Sequence, residues 1–261
     1  MHPGETGASY MMKGIIDYLI GPTIGAEIVR SNYLMKIVPM INIDGVINGN
    51  TRCSLYGVDL NRCWIDPQKD THPVLFALKW LIKNTQNERD IMLFVDLHGH
   101  SRKKNIFMYG NSYKNDTKLK ERVFPYLLEK QAESFSYSDC SFVVQRAKEG
   151  TGRVVGWKEL QIQNSFTIEA SFCGSDFGKY ADLHFNTSML TEIGPHLCEA
   201  IIEYEKLIAD QVQYKQVISE IEDIISNNQN QKEEGGSKNL EEVQQQQMGG
   251  LLLDGGGLGT I

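Results

Sequence analysis

Apolar residues recur along several segments of the chain with a helical period, and each such segment predicts an amphipathic helix. The first helix carries its apolar side chains at Met11, Met12, Ile15, Ile16, Leu19 and Ile20, and Gly21-Pro22 ends it. Two more helices are predicted over residues 73–86 and 117–133. The last begins at Thr187, and its apolar face consists of Leu190, Ile193, Leu197, Ile201, Tyr204 and Ile208.

Short apolar runs without helical spacing predict buried strands. They cover residues 34–41, 91–97, 106–109 and 165–170. The second run leads directly into His98 and therefore places this histidine at the C-terminal end of a strand. Because strands alternate with helices, we predict an α/β fold, a three-layer α/β/α sandwich around a mixed, twisted sheet.

The segments between these elements differ in composition. Residues 42–63 are rich in Asn, Gly and Asp, and residues 147–156 are rich in Gly, so both are predicted to be loops. From residue 227 the chain consists largely of Asn, Gln, Glu and Gly, a composition that cannot build a core. We therefore predict one folded domain over residues 1–226 and a disordered tail over 227–261.

Composition and charge narrow the functional class. The 261 residues are 41% hydrophobic and 23% charged, as in ordinary soluble enzymes, and the net charge of -7 argues against general nucleic-acid binding. No apolar run approaches the roughly 20 residues of a membrane helix, and no secretory signal is expected from the N-terminus. The five cysteines form no C-x-x-C pair, which predicts free thiols in a reducing compartment.

Two histidine motifs carry candidate metal ligands. His2 and Glu5 form an H-x-x-E motif, and imidazole with carboxylate is a common ligand pair of catalytic zinc, although a helix N-terminus explains Glu5 equally well. His98 follows a predicted strand, where open α/β sheets place their active sites, but a structural histidine is the alternative. His100 is a competing ligand, which we place outside the ligand set.

Two further motifs carry candidate catalytic and binding residues. Glu169 lies within an apolar strand, where a carboxylate needs either a task, such as general base, or a buried salt bridge. Residues 49–62 contain Arg52, Asn61 and Arg62. An arginine fork and an adjacent amide suit a carboxylate ligand, whereas solvated arginines are the alternative.

In this order, the four motifs resemble those of the zinc metallocarboxypeptidases. The strings His-Pro-Gly-Glu, Asp-Leu-His-Gly-His-Ser-Arg-Lys-Lys-Asn, Glu-Gly-Thr-Gly-Arg and Glu-Ala-Ser-Phe-Cys-Gly look like those of the cytosolic carboxypeptidase subfamily, which removes glutamates from tubulin. The resemblance covers roughly residues 2–205. It implies a zinc exopeptidase acting on acidic protein C-termini such as polyglutamylated tubulin. It also implies a cytoplasmic location with cytoskeletal or ciliary association. From the net charge and the absence of a long apolar run we expect no nucleic-acid or membrane partner.

The resemblance further implies a role for each site residue. His2, Glu5 and His98 would hold Zn²⁺, Glu169 would be the general base, and Arg52 would stabilise the oxyanion.

Substrate binding would fall to other residues. Asn61 and Arg62 would hold the terminal carboxylate of the substrate, and Arg153 would bind its acidic side chain. Additional positive charge would come from Arg102, Lys103 and Lys104, for which solvated surface residues are the alternative.

The sequence departs from the family pattern at its start. Met1 directly precedes the first ligand, where family members have sheet strands and the cytosolic members also a small β domain, so we expect an incomplete sheet with an exposed edge. Ile43 replaces the usual proline, and residues 142–157 lack the tyrosine of many secreted relatives. Two alternatives remain open, namely an inactive truncated relative that at most binds an acidic partner, and a zinc acylase that deacylates amino acids.

Overall fold

The computed structural model of the chain describes residues 1–112 and 119–227, so nearly all of the predicted tail lies outside the described residues. The chain divides into a compact unit over Met1–Tyr214 and a second unit that begins at Lys215. The described residues of the second unit, 215–227, are helical. All elements discussed below belong to the first unit.

Helices and strands alternate along the first unit. The helices are α1 (Gly7–Ile20), α2 (Ile24–Asn32), α3 (Ile43–Ile47), α4 (Pro73–Glu88), α5 (Lys120–Gln131), α6 (Gly152–Lys158) and α7 (Thr187–Ala209). The strands are β1 (Leu93–His100), β2 (Ile106–Tyr109) and β3 (Asn164–Ser171). Single 3-10 turns occupy Leu60–Arg62, Arg146–Lys148 and Gly178–Tyr180.

The three described strands form one mixed sheet in the order β1-β3-β2. β3 pairs in parallel with β1 and antiparallel with β2, and its Glu169 lies opposite His98 on one side and Phe107 on the other. The register therefore places residues from all three strands side by side at the C-terminal end of β1.

Helices cover both faces of the sheet. On one face, Phe124 of α5 stacks against Phe166 of β3, with ring centroids 5.8 Å apart, and α1 and α7 pack beside it. On the other face, a core cluster that includes the buried Trp64 joins α4 and α6 to Phe94 of β1. The predicted three-layer α/β/α sandwich is confirmed.

Two glycines bring α1 and α7 into close contact. A Cβ atom on Gly14 would lie 1.9 Å from the carbonyl oxygen of Thr191, and one on Gly194 would lie 2.1 Å from the backbone of Gly14. No larger residue fits at this crossing without moving a helix. The contact fixes the direction of α1, and with it the turn before α1 that carries His2 and Glu5.

The strand predicted over residues 34–41 is wrong. The segment makes no ladder pairing, and Leu34 and Met40 are exposed. Both this segment and β1 line one cavity of about 520 Å³, and among the described residues β1 has no partner on its outer edge. Apolar composition favours a strand, but a strand also needs a neighbour that completes its hydrogen bonds.

The loop predicted over residues 147–156 is also wrong, because α6 begins at Gly152. Its glycines permit close packing instead of a turn, since a Cβ atom on Gly152 would lie 2.9 Å from the Trp64 ring. The predicted loop over residues 42–63 contains α3, and α2 was not predicted.

The other predicted elements are confirmed within one to three residues, except that Thr117 lies outside the described part. His98 lies inside β1 instead of after it. The five cysteines are free thiols, as expected. No helix among the described residues combines the length and apolar character that a bilayer crossing requires.

Candidate metal centre and active site

Three side chains from distant parts of the chain converge at the C-terminal end of β1. The Nδ1 atom of His2 lies 2.7 Å from one carboxylate oxygen of Glu5, and the Nδ1 atom of His98 lies 2.7 Å from the other. The three donor atoms lie within 4.8 Å of one another. The backbone N–H of Gly99 also donates to Glu5, at 3.1 Å, which ties the turn before α1 to β1.

Carboxylates orient both histidines from behind. The Nε2 atom of His2 lies 3.0 Å from Asp59, and the Nε2 atom of His98 lies 2.7 Å from Asp96. A histidine that donates its Nε2–H to a carboxylate presents its Nδ1 lone pair to a metal ion, an arrangement typical of protein metal sites. Two imidazole nitrogens and one carboxylate are a ligand set that fits catalytic zinc.

The electrostatics of this cluster favour a cation. Burial alone would lower the pKa of His98, but the negative charge of Asp96 and the hydrogen bond to Glu5 raise it to about 10. Burial alone would raise the pKa of Glu5, yet its bonds to His2 and His98 hold it well below its usual range. The carboxylates that favour a proton on His98 would favour a divalent cation in the same place.

Glu169 lies beside His98 in the sheet and is largely buried. Burial raises its pKa to about 7, and the negative charges of Glu5 and Asp96 contribute to the shift. Its Oε2 atom has no hydrogen-bond partner among the described residues, and no described arginine forms an ion pair with it. This environment favours a catalytic role for the Glu169 carboxylate over the alternative of a buried salt bridge.

Arg52 and Arg62 lie at the rim of the same cluster. The Nε and Nη2 atoms of Arg52 donate to Asp59 at 2.9 and 2.7 Å, and the Nη1 atom of Arg62 donates to the carbonyl oxygen of Asn61 at 2.8 Å. Both guanidinium groups are partly exposed.

Asn61 is buried between the metal cluster and α6. Its Oδ1 atom accepts the backbone N–H of Gly152 at 3.0 Å, and its Nδ2 atom lies 3.1 Å from the Nε2 atom of His98. The Oδ1 atom is thus engaged within the protein, whereas Nδ2 finds no acceptor in a His98 nitrogen that donates its own proton to Asp96. Its role in holding the substrate carboxylate stays a prediction.

Arg153 lies in α6 and is buried. Its Nη1 atom donates to the carbonyl oxygen of Gly110 and, at 2.8 Å, to the Oδ1 atom of Asn111. Burial lowers its pKa to about 10, while Tyr109 and Glu169 act in the opposite direction, so it keeps its charge at neutral pH. A fixed cation near Glu169 is suited to an acidic side chain, although this role is likewise still a prediction.

The basic run after β1 lies apart from the three metal-type ligands. Arg102 and Lys104 are exposed, whereas the Nζ atom of Lys103 donates to the carbonyl oxygen of Asp139 at 2.8 Å. His100 is likewise not among the converging ligands, because its Nδ1 atom accepts backbone N–H groups.

The sequence prediction did not include three residues that the structure adds to the site. Asp59 and Asp96 orient the histidines, and burial together with the positive charges of Arg62 and Arg52 lowers the pKa of Lys148. Asp96 could have been noticed, since a carboxylate two residues before a histidine shares its strand face. Lys148 gave no comparable signal, because its place beside the arginines depends on the fold.

Comparisons with known proteins agree with this geometry. Residues 1–193 match a family model described as zinc carboxypeptidase. The chain is 44% identical over 228 residues to cytosolic carboxypeptidase 3 of Bos taurus and 43% identical over 231 residues to cytosolic carboxypeptidase 2 of Xenopus tropicalis. These matches cover 86% and 87% of this chain but only 22% and 24% of the relatives, so the chain spans about a quarter of their length.

Solved structures show the same fold. A metallo-carboxypeptidase from Burkholderia cenocepacia superimposes with a TM-score of 0.68 at 20% identity, over 79% of this chain and 55% of the other. A metallo-carboxypeptidase from Pseudomonas aeruginosa, solved in complex with (2-guanidinoethylmercapto)succinic acid, gives a TM-score of 0.63 at 25% identity, over 77% and 54%.

Proposed function

The chain belongs to the zinc carboxypeptidase family, and from this premise we propose that it carries the active site of a zinc-dependent exopeptidase that releases C-terminal glutamate. One observation supports this most strongly. Two histidines and Glu5 converge as metal ligands, each histidine is backed by a carboxylate, and Glu169 lies beside them with a raised pKa.

Zinc would be held by His2, Glu5 and His98, whose donor atoms lie within 4.8 Å of one another. When bound, zinc makes a water molecule more acidic and polarises the carbonyl group of the scissile bond. Asp59 and Asp96 would keep the imidazoles in the tautomer that presents Nδ1.

Glu169 would act as the general base and then as the general acid. A carboxylate with a pKa of about 7 takes a proton from water at neutral pH and can return it to the leaving amine. Its unpartnered Oε2 atom is free to accept that proton.

Positive charge around Glu169 would select the substrate. Arg52 would stabilise the oxyanion of the tetrahedral intermediate, and Arg62 would bind the terminal carboxylate through two parallel hydrogen bonds, with Asn61 beside it. Lys148 adds charge at the same rim, and Arg153 would face an acidic side chain. A carboxylate anchored at a fixed distance from the base presents only the last peptide bond, which makes the reaction exopeptidic.

The proposed substrates are acidic protein tails, and glutamate chains on tubulin are the class that the sequence resemblance implies. The relatives named above are called cytosolic carboxypeptidases, which supports a cytoplasmic location. Association with the cytoskeleton or cilia is proposed on the same basis.

Mass spectrometry of zinc-loaded protein with a glutamate-ended peptide tests this function. We expect stepwise loss of single glutamates from the free C-terminus and no reaction with the same peptide amidated at its C-terminus. Cleavage of an N-acylated amino acid in place of the peptide would instead indicate the acylase alternative. Equal cleavage of free and amidated peptides would refute exopeptidase action.

A further inference from the structure

Tyr109 lies at the end of β2 on the face of the sheet that carries the proposed catalytic base. His98 and Phe107 flank Glu169 on the two neighbouring strands. Because alternate residues of a strand share a face, Tyr109 and His100 lie on this same face, with Tyr109 in register with Thr167 on one side of Glu169 and His100 in register with Ser171 on the other. The phenol and this second histidine therefore line the site next to Glu169.

The proton on His100 can be assigned from its contacts. Its Nδ1 atom accepts the backbone N–H groups of Arg102 at 3.2 Å and Lys103 at 2.9 Å, so this nitrogen carries no proton. The proton of the neutral ring is then on Nε2, which lies 3.5 Å from the hydroxyl oxygen of Tyr109. His100 thus directs an N–H toward the phenol oxygen, and the hydroxyl proton of Tyr109 is not needed for this contact.

The hydroxyl of Tyr109 is available to a ligand. Among the residues that the structure describes, His100 is its one hydrogen-bonding contact. Burial and the negative charge of Glu169 raise the pKa of Tyr109, so the phenol keeps its proton at neutral pH. The hydroxyl can therefore act as a donor.

Tyr109 and Arg153 are held together by one short segment of chain. The guanidinium carbon of Arg153 lies 5.8 Å from the centre of the Tyr109 ring. The two residues that follow Tyr109, Gly110 and Asn111, accept hydrogen bonds from Arg153. An acidic side chain that reaches this pair would therefore meet a phenol donor and a cation.

On the premise of the carboxypeptidase function above, we propose that Tyr109 is a specificity-determining residue whose hydroxyl donates to the side-chain carboxylate of the C-terminal glutamate. Arg153 supplies the neighbouring positive charge, and His100 is a positioning residue that orients the phenol. A hydrogen bond to an ionised carboxylate is roughly twice as strong as one to a neutral amide. The phenol therefore contributes more to a glutamate-ended substrate than to a glutamine-ended one.

Steady-state kinetics of the zinc-loaded full chain test the proposal with two peptides that differ only in a C-terminal Glu or Gln. Tyr109→Phe is expected to lower kcat/KM for the glutamate peptide about tenfold, mainly through KM, and for the glutamine peptide only about threefold. Tyr180→Phe is the matched control, because that hydroxyl donates to Glu192 at the surface, and it should change neither value.

Substitutions at His100 test the positioning role. His100→Asn keeps an acceptor for the two backbone N–H groups but loses the distal donor, so it should resemble Tyr109→Phe. His100→Gln can place an N–H near the Nε2 position and should recover most of the activity. In a Tyr109→Phe background, His100→Asn should cause no further loss.

Calorimetric titration with free L-glutamate distinguishes failure of the role proposed for Tyr109 from failure of the carboxypeptidase function itself. Weaker glutamate binding by Tyr109→Phe, with unchanged zinc content, is the expected result. If the unmodified chain cleaves the peptide but Tyr109→Phe matches it, or loses equally on both peptides, this role of Tyr109 is refuted and the proposed function stands. If the unmodified chain neither cleaves the peptide nor binds glutamate, the proposed function fails together with this inference.

Discussion

Replacing Glu169 by glutamine should stabilise the metal-free protein while abolishing its activity. Burial raises the pKa of this carboxyl from 4.5 to about 7. Each unit of difference between folded and unfolded pKa values corresponds to about 1.4 kcal/mol, so ionised Glu169 destabilises the fold by roughly 3 kcal/mol. Glutamine has nearly the same shape and does not ionise.

The direction of the stability change and the pH range in which it occurs follow from the pKa of Glu169 in the unfolded chain, 4.5, and in the folded chain, about 7. Because the folded value is the higher one, the folded chain holds this proton more tightly. Stability is therefore lost as pH rises from about 4.5 to about 7, and the loss is constant above that range. Between pH 5 and pH 8, the Glu169→Gln variant should gain roughly 2 to 3 kcal/mol relative to the unmodified protein.

Urea unfolding of both metal-free proteins at pH 5 and pH 8 measures this difference. Glu88→Gln, at an exposed position at the end of α4, is the control and should show no such pH-dependent gain. Bound zinc should reduce the gain, since a nearby cation favours the ionised carboxylate. An equal stability difference at the two pH values would show that Glu169 ionises as in water, and its assignment as a tuned base would be refuted.

Three further perturbations address the metal support, the substrate anchor and the packing. Asp96→Asn should weaken zinc binding by about 10- to 100-fold, because His98 loses its carboxylate partner, and competition with a chelator would measure it. Arg62→Ala should lower kcat/KM for a glutamate-ended peptide by about tenfold or more through KM, and an unchanged KM would refute its anchoring role. Gly194→Ala should destabilise the protein by about 1 to 3 kcal/mol in urea unfolding, because its Cβ would overlap the backbone of Gly14, and a loss below about 0.5 kcal/mol would contradict the close crossing.

The pattern of apolar residues along the chain was sufficient to predict an element wherever its apolar residues pack against neighbouring elements. The helix face from Leu190 onward and the apolar run of β3 appear in the structure as predicted, because both pack against other elements of the same core. Residues 34–41 have an equally apolar pattern and form no strand, since strand formation depends on a partner that no local pattern reveals.

The candidate site likewise contains residues that the sequence could identify and residues that it could not. His2, Glu5 and His98 could be selected because four motifs in order resemble those of the zinc metallocarboxypeptidases, and the fold brings the three side chains together. Asp59 and Lys148 could not, since their contact with the site arises only when separate loops meet in three dimensions. The glycines before Arg153 indicated a loop, but in the structure Gly152 permits close packing of α6 against Trp64. The two roles of glycine can be distinguished only when the position of Trp64 is known.

Elemental analysis of the purified chain, combined with glutamate release from a glutamate-ended peptide, tests the central claim most directly. The geometry of His2, Glu5 and His98 predicts about one zinc per chain. It also predicts release that stops in the Glu169→Gln variant although zinc remains bound. A chain that binds no zinc and releases no glutamate would contradict the proposed exopeptidase.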